Sequence, residues 1–98
     1  MSEYNGWTNY PTWNLALWIN NEEILWRYWT ARAHTILAET SFDIMESKYE
    51  LASAIRNWAD NNQPEQIGDI GAYSDIMNWA LQEINYEEIA ESILEDIS

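Results

Sequence analysis

The sequence predicts an all-α fold: a compact single domain, residues 1–98, of about five short helices with a Trp-rich N-terminal segment. Three observations lead there. Apolar residues recur three and four positions apart along most of the chain, the spacing of one helix face. No segment alternates apolar and polar residues over more than a few positions, as a half-buried strand would. Asn, Ser and Thr stand where helices would begin, and Asn-Pro or Gly clusters stand where they would end. The apolar share is 47%, with seven Trp and six Tyr, enough aromatic area to drive folding in spite of a net charge of −13.

The elements follow in order. Asn5, Gly6 and Asn9 mark an N-terminal loop, and Pro11 suits a first helical turn, where its missing N–H has no partner anyway. Thr12 to Ile19 is apolar nearly all round and reads as buried. Asn20 with Glu23 resembles a capping box that opens a second helix. Its apolar positions are Ile24, Leu25, Tyr28, Trp29, Ala33, Ile36 and Leu37. Thr40 with Asp43 resembles the next start, with Phe42, Met45, Tyr49, Ala52, Ile55 and Ala59 expected on the core face. The stretch Asn61-Asn62-Gln63-Pro64 stops that helix, because proline and the residue before it disfavour continuation. Ile67 to Gly71 reads either as a loop with two apolar anchors or as a frayed turn. Ser74 is expected to cap a fourth helix with Ile76, Met77, Ala80, Leu81 and Ile84 inward. Asn85 with Glu88 caps the last, where Ile89, Ile93 and Ile97 recur every four residues.

Charge excludes several functions. Seventeen acids stand against four bases, so phosphates would find few partners and direct nucleic-acid binding is not expected. Attraction to an anionic membrane surface fails for the same reason. The longest purely apolar run, Leu15 to Ile19, is far short of a membrane span. The opening MSEYNGW has neither the basic nor the apolar region of an export signal. With no Cys, disulfides, thiolate metal sites and cysteine nucleophiles are absent, which fits a reducing cytoplasm.

Catalytic chemistry has little to stand on. His34 is the single histidine, no nucleophile turn lies near it, and a surface or boundary position suffices to explain it. A metal site with two histidines would need a second chain. Asp60-Asn61-Asn62-Gln63-Pro64-Glu65 begins like a calcium loop, but Glu65 occupies the place where glycine makes the sharp turn. Gly6, Gly68 and Gly71 lack the spacing of a phosphate-binding loop. Paired-carboxylate hydrolysis needs two acids across a cleft, and no pair is singled out. The chain is therefore expected to be no enzyme, with no catalytic residue, no cofactor and no dedicated metal site.

The informative feature is where the acids lie. Residues 1–38 hold Glu3, Glu22 and Glu23 against Arg27 and Arg32; residues 39–98 hold the other fourteen acids against Lys48 and Arg56. Glu87, Glu91 and Glu95 are spaced by four and fall about 6 Å apart along one helix face. Like charges at that spacing weaken a helix by a few tenths of a kcal/mol per pair. Either this is a solvated face that keeps a small protein soluble, or it is an anionic surface that stands in for a nucleic-acid backbone. The one-sided distribution favours the second, through Glu83, Glu87, Glu88, Glu91, Glu95 and Asp96, with Asp69 and Asp75 as a further group.

Aromatics suggest another surface. Eight of the fourteen fall in the first thirty residues. They build a core in which the N-terminal segment staples the bundle, or Trp7 and Trp13 remain available as anchors for a protein partner. The second possibility defines an alternative function, an interaction adaptor.

The stretch Tyr4-Asn5-Gly6-Trp7-Thr8-Asn9-Tyr10-Pro11-Thr12-Trp13-Asn14, running on to Asn21, resembles small phage and prophage proteins that open on an N-G-W-[ST]-N-x-x-T-W-N motif. Those proteins often close on a segment similar to Ile84-Asn85-Tyr86-Glu87-Glu88-Ile89-Ala90. Pro11 departs from the acidic or polar residue expected there. The resemblance transfers no catalytic residue. It implies an origin in a virus or mobile element and work in the cytoplasm of a bacterial host. With the acidic surface, it implies an anti-defence protein whose partner is the basic nucleic-acid-binding surface of a host defence complex, CRISPR–Cas ahead of restriction.

Overall fold

The computed structural model describes residues 4–61 and 79–97. Tyr4 and Trp7 exchange both backbone hydrogen bonds at 2.8 Å, with Asn5 and Gly6 at positive φ (49° and 88°) between them. Asn-Gly suits such a turn, since both residues tolerate the left-handed region. Helix α1 (Tyr10–Asn21) begins at Asn9, whose side chain accepts the Thr12 N–H, and has proline in its first turn. It buries Thr12, Ala16 and Ile19. The expectation of burial all round is corrected: Leu17 is partly exposed and Trp18 is 56% exposed, because one face of a short helix meets the bundle.

Helix α2 (Glu23–Glu39) follows after a single extended residue, Glu22, which ends α1 and starts α2. The Asn20–Glu23 capping box does not form. The reason is that α1 runs through Asn20 to Asn21, and the Glu22 N–H still bonds to the Trp18 carbonyl at 3.0 Å. Trp29, Ala33, Ile36 and Leu37 are buried as the periodicity predicts, while Ile24 at the first turn and Tyr28 are exposed.

Thr40 ends α2 rather than opening α3. Its hydroxyl is taken by the Leu37 carbonyl and by the Ser47 hydroxyl, 2.6 Å away. The cap of α3 (Ile44–Asn61) is Asp43, whose carboxylate accepts the Glu46 N–H at 3.1 Å. Ser47, Leu51, Ala52 and Ile55 form the buried side of α3. Phe42, Met45 and Tyr49, expected inward, are exposed. Ser47 takes the inward position at the start of the helix, and the Thr40 bond satisfies its hydroxyl.

Residues 79–83 are helical, with Ala80 and Leu81 half-buried and Ile84 packed on the core. Helix α4 (Tyr86–Ile97) buries Tyr86, Ile89, Ala90, Ile93 and Leu94. The expected stop beyond Asn61, the Ile67–Gly71 segment and the start at Ser74 with Ile76 and Met77 lie outside the described residues. Helix α2 packs against α1, α3 and α4, and the α3–α4 interface is the most extensive. The radius of gyration, 14.1 Å, is near the roughly 13 Å of a compact chain of this length. Among the described residues no helix is long and apolar enough to cross a membrane.

Candidate functional site

The acidic face is held by α4. Its buried side locks the helix to the bundle, so the opposite side is presented on a fixed backbone. Glu87, Glu91, Glu95 and Asp96 are exposed there, and Glu83 is exposed on the helical residues just before the corner. The carboxylates of Glu83, Glu87 and Glu91 make no hydrogen bond or ion pair with a described residue. Asp69 and Asp75 lie outside the described residues.

Glu88 differs from its neighbours. It is half-buried, and its carboxylate accepts the Thr8 N–H at 3.0 Å. Asn85 caps α4 as expected, its side-chain oxygen accepting the Glu88 N–H at 3.0 Å. In a closed capping box the Glu88 carboxylate would return to the Asn85 N–H. Here that N–H donates to the Thr12 hydroxyl instead, at 2.8 Å. One arm of the box thus forms, and both partners of the other, the Glu88 carboxylate and the Asn85 N–H, are redirected onto the N-terminal segment. Asn9 completes the clasp: its side-chain N–H donates to the Glu83 carbonyl at 2.7 Å, and its oxygen accepts both the N–H and the hydroxyl of Thr12. The opening and closing motifs of the sequence are therefore partners in one network.

Helix α3 flanks the acidic face and brings both bases of the second part of the chain to it. A groove of about 580 Å³ has Tyr49 and Arg56 on one side and Glu83, Asn85, Tyr86 and Glu87 on the other. A smaller recess of about 210 Å³ sets Lys48 beside Glu87, Glu88 and Glu91. The Lys48 ammonium lies 5.4 Å from the Tyr49 ring centroid, within range of a cation–π attraction. These bases lower the local excess of negative charge without cancelling it. The Tyr86 hydroxyl donates to the Leu81 carbonyl at 3.0 Å. Burial pushes its pKa up to about 12; Asp60 adds to the rise and Arg56 opposes it. Tyr86 therefore stays protonated and acts as a fastener between the residues before the corner and α4.

His34 is exposed on α2, and among the described residues no three His, Cys, Asp or Glu side chains converge as a metal site. Trp7 is partly buried against the core. Trp13 is half-buried and stacks with Tyr4 and Tyr10, centroids 4.8 and 5.4 Å away. Trp7 is thus engaged with the core and Trp13 with the N-terminal segment. Sequence reasoning missed a different apolar surface, Phe42, Ile44 and Met45 at the α2–α3 corner, all exposed. Periodicity could not find it, because Phe42 and Met45 fit the helical spacing of core residues.

A protein-family model, described as a family of unknown function (DUF7249), matches residues 1–97. No curated protein and no solved structure matches the chain.

Proposed function

The chain belongs to DUF7249, a family of unknown function, so its own surface must carry the reading, and we propose that it is a non-enzymatic, stoichiometric inhibitor that occupies a basic, DNA-holding surface of another protein. The supporting observation is the row of exposed carboxylates Glu83, Glu87, Glu91, Glu95 and Asp96 on a corner whose other side is core. A preorganised charged row loses little freedom on binding, and its field steers a basic partner toward it. Glu88 serves the clasp, so its role in this reading is to hold the row in place. The origin implied by the sequence resemblance, a phage or mobile element, puts the target in a bacterial defence complex, CRISPR–Cas ahead of restriction.

The test is a binding titration against the DNA-holding host protein recovered with the chain, repeated at rising salt and in competition with duplex DNA. The chain and the duplex should exclude one another, and affinity should fall steeply with salt. Glu87→Lys, Glu91→Lys and Glu95→Lys together should weaken binding by at least about a hundredfold, with the helical signal intact. Unchanged affinity and salt dependence in that variant, or simultaneous binding of duplex and chain, would overturn the reading.

A further inference from the structure

The turn between α2 and α3 presents three large apolar side chains within four residues: Phe42 is 69% exposed, Ile44 55% and Met45 58%. Ser41 and Phe42 have φ of 55° and 64°, a region that bulky residues rarely enter. The Phe42 N–H bonds to the Leu37 carbonyl at 2.7 Å and the Ser41 N–H to the Ala38 carbonyl at 3.3 Å. This helix ending ordinarily has glycine at the position of Ser41 and an apolar residue at the position of Phe42 folded back on the helix. Phe42 instead faces solvent. An aromatic left mostly exposed in an unfavourable backbone conformation contributes little evident to folding, and such positions gather at functional surfaces.

Beside this turn a groove of about 240 Å³ runs between α3 and α4, lined by Ile44, Lys48, Glu91, Leu94 and Glu95. Ile44 and Leu94 supply apolar walls, and two carboxylates outweigh one ammonium at the rims. We propose that this corner docks a cationic amphipathic helix of a partner protein. An apolar side chain of that helix enters between Ile44 and Leu94, the exposed Phe42 and Met45 of the turn extend the apolar contact, and that helix's Lys or Arg residues one turn away reach Glu91 and Glu95. Charge selects the occupant: a molecule at −13 repels a second copy of itself and any acidic segment. The inference rests on the inhibitor reading only in that both require a basic partner; it adds an apolar anchor that the carboxylate row does not need.

The experiment titrates the full chain with two labelled synthetic peptides of about 14 residues, long enough to form a helix once bound. One carries Leu and Lys at helical spacing; the other carries the same Lys residues with Ser in place of Leu. The Leu-containing peptide should bind at least about tenfold tighter. Phe42→Asn with Ile44→Ser and Met45→Ser should abolish that preference while the circular dichroism spectrum is kept, since all three side chains are exposed and Asn tolerates positive φ. Lys48→Ala should tighten both peptides. Equal binding of the two peptides, or a preference that survives in the Phe42/Ile44/Met45 variant, overturns the docking corner. Glu83→Lys and Glu87→Lys, outside the groove, should weaken both peptides equally and flatten their salt dependence. A failure of the carboxylate row is thereby read separately from a failure of the corner.

Discussion

Ser41 has a Cβ in a backbone conformation that disfavours one. Left-handed φ disfavours an L-residue by roughly 1–2 kcal/mol, and glycine escapes that penalty. Ser41→Gly should therefore stabilise the fold by about 1 kcal/mol, a rise in Tm of about 4–8 °C for a domain of this size, read by thermal melting. A fall in Tm would mean that the Ser41 side chain does something its φ of 55° does not reveal. The two residues that flank this turn show how one residue type can mislead. Thr40 followed by Asp43 has the look of a helix start, yet the Thr40 hydroxyl closes α2 and bonds to Ser47 across the turn. The chemistry of a cap was legible there; which of two candidates three positions apart would serve was not, because the choice depends on a hydroxyl seven positions from Thr40.

Between elements, the clasp joins the start of α1 to the start of α4. Asn9 makes three of its bonds, two within α1's first turn and one to the Glu83 carbonyl. An isolated Asn cap is worth about 0.5–2 kcal/mol, and the tie to Glu83 adds to it. Asn9→Ala should thus destabilise by about 2 kcal/mol in a denaturant titration, more than Asn20→Ala, which interrupts no cap. Tyr86 provides a second fastening and a pH dependence. Its pKa, raised from 10.0 to about 12 by burial first and Asp60 second, means that the folded chain keeps the proton longer than the unfolded one. Its contribution is complete below about pH 10 and declines as pH rises toward 12, where the unfolded chain binds fewer protons. Melting curves across that window should fall more steeply for the wild type than for Tyr86→Phe, which lacks the proton. Parallel curves would remove Tyr86 from the account.

For the whole molecule, a charge of −13 on 98 residues destabilises the compact state through self-repulsion. Raising NaCl from about 10 to about 150 mM shortens the Debye length from roughly 30 to roughly 8 Å, so Tm should rise over that range in scanning calorimetry. A Tm that falls would show that attractive pairs, such as Arg27–Glu23 at 3.2 Å, outweigh the repulsion. The same screening should weaken the proposed hold on a basic partner. By itself the sequence determined the helical class, the buried stripe of α4 and the acidic side opposite, and the cap at Asn85, because each follows from spacing within one or two turns. It also concentrated the excess of acids after residue 38. Only the tertiary structure decided that Lys48 and Arg56 flank the acidic row, that Phe42 and Met45 face solvent, and that the opening motif meets the closing one. Those outcomes join groups far apart in the chain, 80 residues in the case of Thr8 and Glu88, and no local periodicity encodes which distant backbone N–H a side chain will find.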